Sequence, residues 1–324
     1  MRHFCVLGSV NMDLVTTFER FPKPGETLHG HSFGIFPGGK GANQAVALAR
    51  LGARVEMVGA IGDDLLGANY EELFDKAGIG HLGVAKTRGM ATGTASIQVD
   101  GHGENTIVVV AGANETLTPS RVEDMRATIE GAAALLLQLE IPLGSVIAAA
   151  RIASKAGVPV ILDPAPARPL PDELFPLVSI LTPNQTEAAL LTGEPTDDEA
   201  GMARACFALK SRGVRNVIVK AGARGAYLSG PPDPTEASGP RGPGGPTHVP
   251  GFSVKVVDTV AAGDSFNAGL ALALYGEPAP LPGARSLERA IRFAHAVAAL
   301  STTKEGAQSA MPDLASALDL FRRA

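Results

Sequence analysis

The chain of 324 residues contains no tryptophan, three tyrosines and two cysteines. With so few large flat side chains, an aromatic clamp around a planar ligand has little to be built from. Cys5 and Cys206 are far apart, one inside an apolar strand pattern and the other inside a helical one. They match no metal-ligand spacing, so free buried thiols in a reducing compartment are expected rather than a disulfide. No apolar run reaches the roughly 18 residues of a membrane span, and the N-terminal apolar run is too short for a signal peptide. The expectation is a soluble, cytoplasmic protein. Basic residues form no cluster and the formal net charge is −5, which excludes a broad face for nucleic-acid phosphates. No internal repeat stands out.

Apolar residues, by contrast, are plentiful. They make up 45% of the chain against 19% charged residues, enough for a sizeable core in one large α/β domain with a small appendage. Buried strands are expected at Phe4 to Leu7, Arg54 to Ile61, Ala132 to Leu139, Pro159 to Leu162, Val178 to Leu181 and Asn216 to Lys220. Helical patterns at Leu65 to Ala77, Ser145 to Ala156 and up to Leu191 alternate with them, the arrangement that gives a mostly parallel sheet. His248 to Val256 is expected to return to β structure, followed by helices over Phe266 to Leu274, Ser286 to Ser301 and Asp313 to Phe321. Gly230 to Pro246, rich in glycine and proline, reads as a surface loop. Two Thr-rich stretches, 14–35 and 92–110, have the character of short strands outside this alternation. They fit one small β-sheet lid on a core made of 1–13, 36–91 and 111–324.

Several polar residues sit where strands end, the edge at which open α/β sheets bind ligands. Asn11 and Asp13, two apart, offer a donor and a charged acceptor suited to sugar hydroxyls, or else simple turn chemistry. Gly34 and Gly39-Lys40 nearly spell a P-loop, but Gly41 stands where Mg²⁺ needs a hydroxyl. What remains is a glycine turn into a helix that lets backbone approach a ligand, with Asn43 in its first turn. Glu140 ends another strand. Asn184 and Glu187 share a face at a helix start, either to hold metal-bound water or as a capping box. Gly222 to Gly225 is a tight turn, and His295 lies on an apolar helix face, a common place for a core histidine. The stretch from Asp258 to Asn267 runs through Ala261, Ala262 and Gly263, small residues whose amides are free to face an anion at a helix N-terminus. Asp264 in that turn is either a general base for a hydroxyl attacking a phosphate or a helix cap.

Gly38-Gly39-Lys40-Gly41-Ala42-Asn43-Gln44-Ala45, Thr182-Pro183-Asn184-Gln185-Thr186-Glu187 and Asp258-Thr259-Val260-Ala261-Ala262-Gly263-Asp264-Ser265-Phe266-Asn267 together resemble the signatures of the ribokinase-like family of sugar kinases. The resemblance covers nearly the whole chain. Gly8 to Asp13, Gln138-Leu139-Glu140, Pro164 to Ala167 and Arg292 to Ala296 look like the ribose-phosphorylating members. It implies a three-layer α/β sandwich around a mostly parallel sheet with a small β-sheet lid, and ATP-dependent phosphorylation of D-ribose at its 5-hydroxyl. It implies sugar contacts from Asn11, Asp13, Gly39, Lys40, Asn43 and Glu140, with Asp264 as base and the Ala261 to Gly263 amides on the phosphoryl group. Nucleotide contacts would come from Asn184, the turn Lys220, Gly222, Arg224 and Gly225, Gly263 and His295. Glu187 would place Mg²⁺ through water, and K⁺ would sit against Asp258 and backbone near Val260, Ser301, Lys304 and Gly306. A homodimer through the lid is expected, with neither nucleic acid nor membrane as partner. Three departures stand out: Lys220 where Thr is frequent, Ala310 where a Ser usually serves the monovalent cation, and a long 230–246 loop. Alternatives are a kinase for another furanose, for deoxyribose or for a nucleoside such as adenosine, and an inactive sugar-sensing relative.

Overall fold

The computed structural model describes residues 2–229, 246–281 and 286–323. Among the described residues there are thirteen strands: β1 (Phe4–Leu7), β2 (Asn11–Thr17), β3 (Ser32–Gly38), β4 (Val55–Gly62), β5 (Gly80–Thr87), β6 (Gly93–Val99), β7 (Asn105–Val110), β8 (Leu135–Leu137), β9 (Val160–Leu162), β10 (Ile180–Leu181), β11 (Asn216–Lys220), β12 (Ala226–Ser229) and β13 (Thr247–Val249). The α-helices are α1 (Lys40–Arg50), α2 (Leu65–Ala77), α3 (Pro119–Asp124), α4 (Arg126–Glu130), α5 (Leu143–Lys155), α6 (Gln185–Thr192), α7 (Glu199–Ser211), α8 (Ala262–Tyr275), α9 (Leu287–Ser301) and α10 (Leu314–Arg323).

Nine strands form the main sheet, in the order β13-β12-β11-β10-β9-β8-β1-β4-β5. The strands from β11 across to β5 pair in parallel, while β12 and β13 run antiparallel at one edge. Both faces are covered. Successive side chains of a strand point to opposite faces, so Phe4 and Val6 join a core with Val46 of α1, Phe74 of α2, Leu270 of α8 and Phe293 of α9. Cys5 and Leu7 join the opposite core with Val122 of α3, Val146 of α5 and Leu209 of α7. This is why the strands read as unbroken apolar runs and why the architecture has three layers.

A second sheet, in the order β3-β2-β6-β7, stands apart from the first. Its strands reach beyond the 14–35 stretch at both ends, since β2 starts at Asn11 and β3 runs on to Gly38, with Asn11 opposite Gly38. Asn11 and Asp13 therefore lie within the small sheet and not at the end of a core strand. The reason is the short Gly8 to Val10 link, which lets the chain pass straight from β1 into β2.

Other boundaries differ from the sequence expectation. Of the expected 248–256 strand only His248 and Val249 are in β structure, within Thr247–Val249, because Pro250 has no N–H for a ladder. Farther on, the N–H groups of Val257 and Asp258 donate instead to the carbonyl of Thr302. Helix α8 begins at Ala262, ahead of the apolar pattern that starts at Phe266. The loop expected at 230–246 lies, apart from Pro246, outside the described residues.

Candidate active site

Ala261, just before α8, has φ 59° and is the one non-glycine residue with positive φ among the described residues. This backbone region is sterically unfavourable for an alanine, and such strain persists where the surroundings enforce it. The turn brings Ala261, Ala262, Gly263 and Asp264 to the wall of a cavity of about 330 Å³. First-turn amides have no acceptor within their helix, and the helix dipole adds positive potential there.

Lys40, Asp163, Asn184, Glu187, Lys220, Gly222, Gly225 and His295 complete much of this wall. A neighbouring cavity of about 530 Å³ shares Gly222, Ala262 and His295 and extends along Phe252, Val254, Val256 and Ala299. Arg224 lines neither: its guanidinium donates to the carbonyl of Asp197, and its own carbonyl pairs with the His248 ring.

Asp264 is 4% exposed. Its two carboxylate oxygens accept from the side-chain amides of Asn43, at 3.0 Å, and Gln44, at 3.1 Å. Burial pushes its pKa up to about 6, with Asp163 adding to the rise while Lys40 and the two amides oppose it. Lys40 is the reciprocal case. Burial works against its charge, but Asp264, Asp163, Glu140 and Glu187 outweigh it and hold its pKa above the usual lysine value.

On the other side of Lys40, the glycine turn packs against β2 and the end of β8. The Lys40 backbone N–H donates to Glu140 at 3.0 Å, and Ser9 Oγ donates to the same oxygen. Gly39 has φ 84°, and a Cβ there would come within 2.7 Å of the Asn11 nitrogen; a Cβ on Gly38 would lie 2.4 Å from the Asp13 carboxylate. Only glycine allows this approach. Burial, followed by the nearby Glu140, pushes Asp13 up to about 6. Asn43 is already engaged within the protein: beyond its bond to Asp264, its carbonyl accepts from Gln308.

Asn184 caps α6 and forms a full capping box with Glu187, so the structural reading of this pair holds. Both residues also line the cavity. Burial, and then the charge of Asp163, raise the Glu187 pKa, against the opposing charge of Lys220. His295 is buried edge-on against Phe266, with ring centroids 5.1 Å apart, and burial lowers its pKa to about 4, so the ring is neutral at pH 7.

Of the monovalent-cation candidates, Asp258, Val260 and Gly306 come together. Asp258 accepts from the N–H groups of Val260 and Gly306, both at 2.9 Å, and Ser301 is buried at the end of α9. Lys304 lines a separate cleft with Arg50 and Ala310.

Four buried residues of this region carry no role in the sequence reading. Asp163 pairs with Lys220, Asn114 donates to Asn11 at 2.7 Å, and Gln44 and Gln138 extend from Asp264. Asp163 follows β9 as Glu140 follows β8, so strand-end position is the signal that marks it, although it opens a proline-rich segment.

A sequence model described as pfkB family carbohydrate kinase matches residues 1–314. The chain belongs to the pfkB family of carbohydrate kinases. It is 42% identical over 319 residues to the ribokinase of Haemophilus influenzae, covering 98% of each chain. It is 39% identical over 312 residues to the ribokinase of Bacillus subtilis, covering 96% of this chain and 97% of that one. Arabidopsis thaliana ribokinase, solved with ribose and ATP, superposes with a TM-score of 0.88 at 35% identity and 99% coverage of both chains. Family membership gives the buried carboxylate, the lysine and the helix N-terminus a common setting, that of phosphoryl transfer to a sugar.

Proposed function

We propose that this kinase transfers the γ-phosphoryl group of ATP to the 5-hydroxyl of D-ribose. The observation that carries the reading is Asp264, a buried carboxylate oriented by two amides in the first turn of α8, beside Lys40 and at the wall of the cavity. A carboxylate there repels phosphate unless it serves the attacking hydroxyl. Asp264 accepts the hydroxyl proton, the first-turn amides at Ala261 to Gly263 stabilise charge on the phosphoryl group, and Lys40 balances the charge between them. Catalysis is then positioning and electrostatics, with no covalent intermediate. Asn11, Asp13, Gly39, Asn43 and Glu140 hold the sugar. Asn184, Lys220, Gly222, Gly225 and His295 face the nucleotide phosphates and ribosyl group, and the apolar wall along Phe252 and Val254 takes the base.

The donors present fit Mg²⁺. Glu187 is a buried carboxylate whose oxygens each accept one N–H and keep capacity for a bound water, and Mg²⁺ favours few carboxylates together with waters and phosphates. When bound, the ion neutralises phosphate charge. Asp258, with the backbone of Val260, Ser301, Lys304 and Gly306, offers hard oxygen donors for K⁺. Supporting a homodimer through the lid sheet, Phe33, Ile35, Ile107 and Val109 are exposed on its two edge strands. Two free buried thiols support a reducing cytoplasm as the place of work. Among the described residues no helix is long and apolar enough to cross a membrane.

The test is a phosphorylation assay over a sugar panel, with the product assigned by ³¹P NMR. Ribose is expected to be used roughly 10⁴-fold better than 2-deoxyribose, since a missing hydroxyl leaves buried polar groups unpaired. Asp264→Asn is expected to lower kcat by about 10² to 10⁴ in a folded protein. Near-normal kcat in that variant would return Asp264 to a capping role.

A further inference from the structure

Asn11 is paired with Gly38 on one side and Gly93 on the other, so no cross-strand side chain of the small sheet braces its amide. What meets it instead is Asn114, from the 3₁₀ turn Gly112–Thr116 that follows β7. The Asn114 amide lies against the backbone of Val10: its oxygen accepts the Val10 N–H at 3.0 Å and its nitrogen donates to the Val10 carbonyl at 3.2 Å. A backbone N–H can only donate, so the orientation of Asn114 is fixed, and its nitrogen is the atom that faces Asn11 Oδ1, at 2.7 Å. The contact is shielded from water, with Asn114 1% and Asn11 4% exposed. A Cβ on Gly93 would intrude on it, 2.2 Å from Asn11 Oδ1 and 2.4 Å from Asn114 Nδ2. With its oxygen engaged, Asn11 keeps an NH₂ group that has no acceptor among the described residues and is not sealed from solvent.

We propose that Asn114 is a positioning residue of the sugar site: it turns the Asn11 amide so that the NH₂ group, and not the carbonyl, is presented to a sugar hydroxyl. The proposal rests on the kinase reading above and deepens it, since Asn11 and Asp13 hold the sugar only under that reading. Asp13, two residues farther along the same face of β2, is an acceptor when ionised. A hydroxyl has one proton to give. Between an Asn11 donor and an Asp13 acceptor it satisfies both, whereas between two acceptors one of them goes without, at the cost of an unmade buried hydrogen bond. The bond from Asn114 thus sets the polarity of the pocket before the sugar arrives, and an amide already ordered loses little freedom on binding. Asn114 also spans the joint between the two sheets, because Val10 lies in the link from β1 to β2. Bracing that joint alone is the competing, purely structural role.

The test is a double-mutant cycle. Ribose binding is measured by calorimetry for the wild type, Asn114→Ala, Asn11→Ala and the variant carrying both changes. Asn114→Ala is expected to weaken ribose roughly 3- to 10-fold, the worth of one neutral hydrogen bond, with ATP affinity unchanged, and to add nothing in the Asn11→Ala background. A structural brace would weaken ribose by the same factor in both backgrounds, and that result overturns the proposal, as does unchanged ribose affinity in folded Asn114→Ala. Where Asn114→Ala does not fold, Asn114→Asp takes its place in the cycle, since it keeps the acceptor for Val10 and, ionised, has no donor for Asn11. In the wild type, ¹⁵N labelling of asparagine reads the orientation directly. The Asn11 NH₂ resonance, identified by its loss in Asn11→Ala, is expected to shift when ribose is added, and a resonance that stays in place overturns the proposal. A wild type that neither binds nor phosphorylates ribose overturns the reading on which the proposal rests.

Discussion

Gln44 donates its side-chain amide to Asp264 Oδ1 at 3.1 Å, while its carbonyl accepts from Gln138 at 2.8 Å. Both glutamines are buried, and they tie the carboxylate in α8 to the end of β8 through α1. Gln44→Leu, similar in size but without the donor, is expected to lower kcat about tenfold, the worth of one hydrogen bond to a charged group. The loss of a bond that favours the ionised form also raises the Asp264 pKa, so the acid limb of the pH profile moves to higher pH. A lower kcat with an unmoved limb would mean that Gln44 acts only on packing.

The wild-type profile itself follows from two carboxylates raised to about 6, Asp264 and Asp13, each chiefly by burial. In the proposed mechanism each works only when ionised, Asp264 to accept a proton and Asp13 to accept a sugar hydroxyl. Activity is therefore full above that pH and lost as pH falls through it. The kcat/KM for ribose, which reports the free enzyme, should fall between about tenfold and a hundredfold per unit below pH 6, according to whether one or both protons matter. A profile flat down to about pH 5 would contradict the assignment of either group.

Much of this arrangement was legible in the sequence, and the failures have physical causes. Asn216 to Lys220 and Leu65 to Ala77 were readable to the residue because a strand with a buried apolar centre and a capped amphipathic helix each carry a strong signal. The strand β5 was not, since its burial is mixed and its sequence, Gly80 to Thr87, has no clean alternation. Glu140 was singled out because it follows β8 at the carboxyl edge of the main sheet, where open α/β sheets bind ligands, whereas Asn11 and Asp13 lie within β2 of the small sheet. Asn114 was not: it sits in a short turn far along the chain and reaches Asn11 only after β2 and β6 pair. The roles of Gln44 and Gln138 likewise depend on which faces of α1 and β8 meet, which no local pattern reports.

The lid edges make a further prediction. On β7, Ile107, Val108, Val109 and Val110 are all more than half exposed, and on β3 Phe33 is 63% exposed. A strand edge of that character is an invitation to pair with a second copy. Sedimentation equilibrium is expected to show a dimer at micromolar concentration, and Val109→Lys to shift it toward monomer with the main sheet intact by circular dichroism. A wild type that sediments only as monomer would leave those edges unexplained.

The last prediction concerns K⁺. Asp258 accepts the N–H of Val260 with one oxygen and that of Gly306 with the other, so its carboxylate fastens the turn before α8 to the segment after α9. Each oxygen keeps a lone pair for a cation. An ion bound there orders the anion turn from behind without touching substrate. If position 310 belongs to that site, Ala310, buried four residues beyond Gly306, offers no hydroxyl to the coordination shell and a water would serve in its place. The charge of Asp258 supplies most of the attraction and is retained. K⁺ is therefore expected to activate, with a midpoint roughly five- to tenfold higher than in Ala310→Ser, which corresponds to about 1 to 1.4 kcal/mol for the restored ligand. Activity is titrated with KCl at constant ionic strength, in a buffer whose only other cation is too large for such a site. Full wild-type activity without K⁺ removes the ion from the mechanism, and identical midpoints in the two proteins take position 310 out of the site.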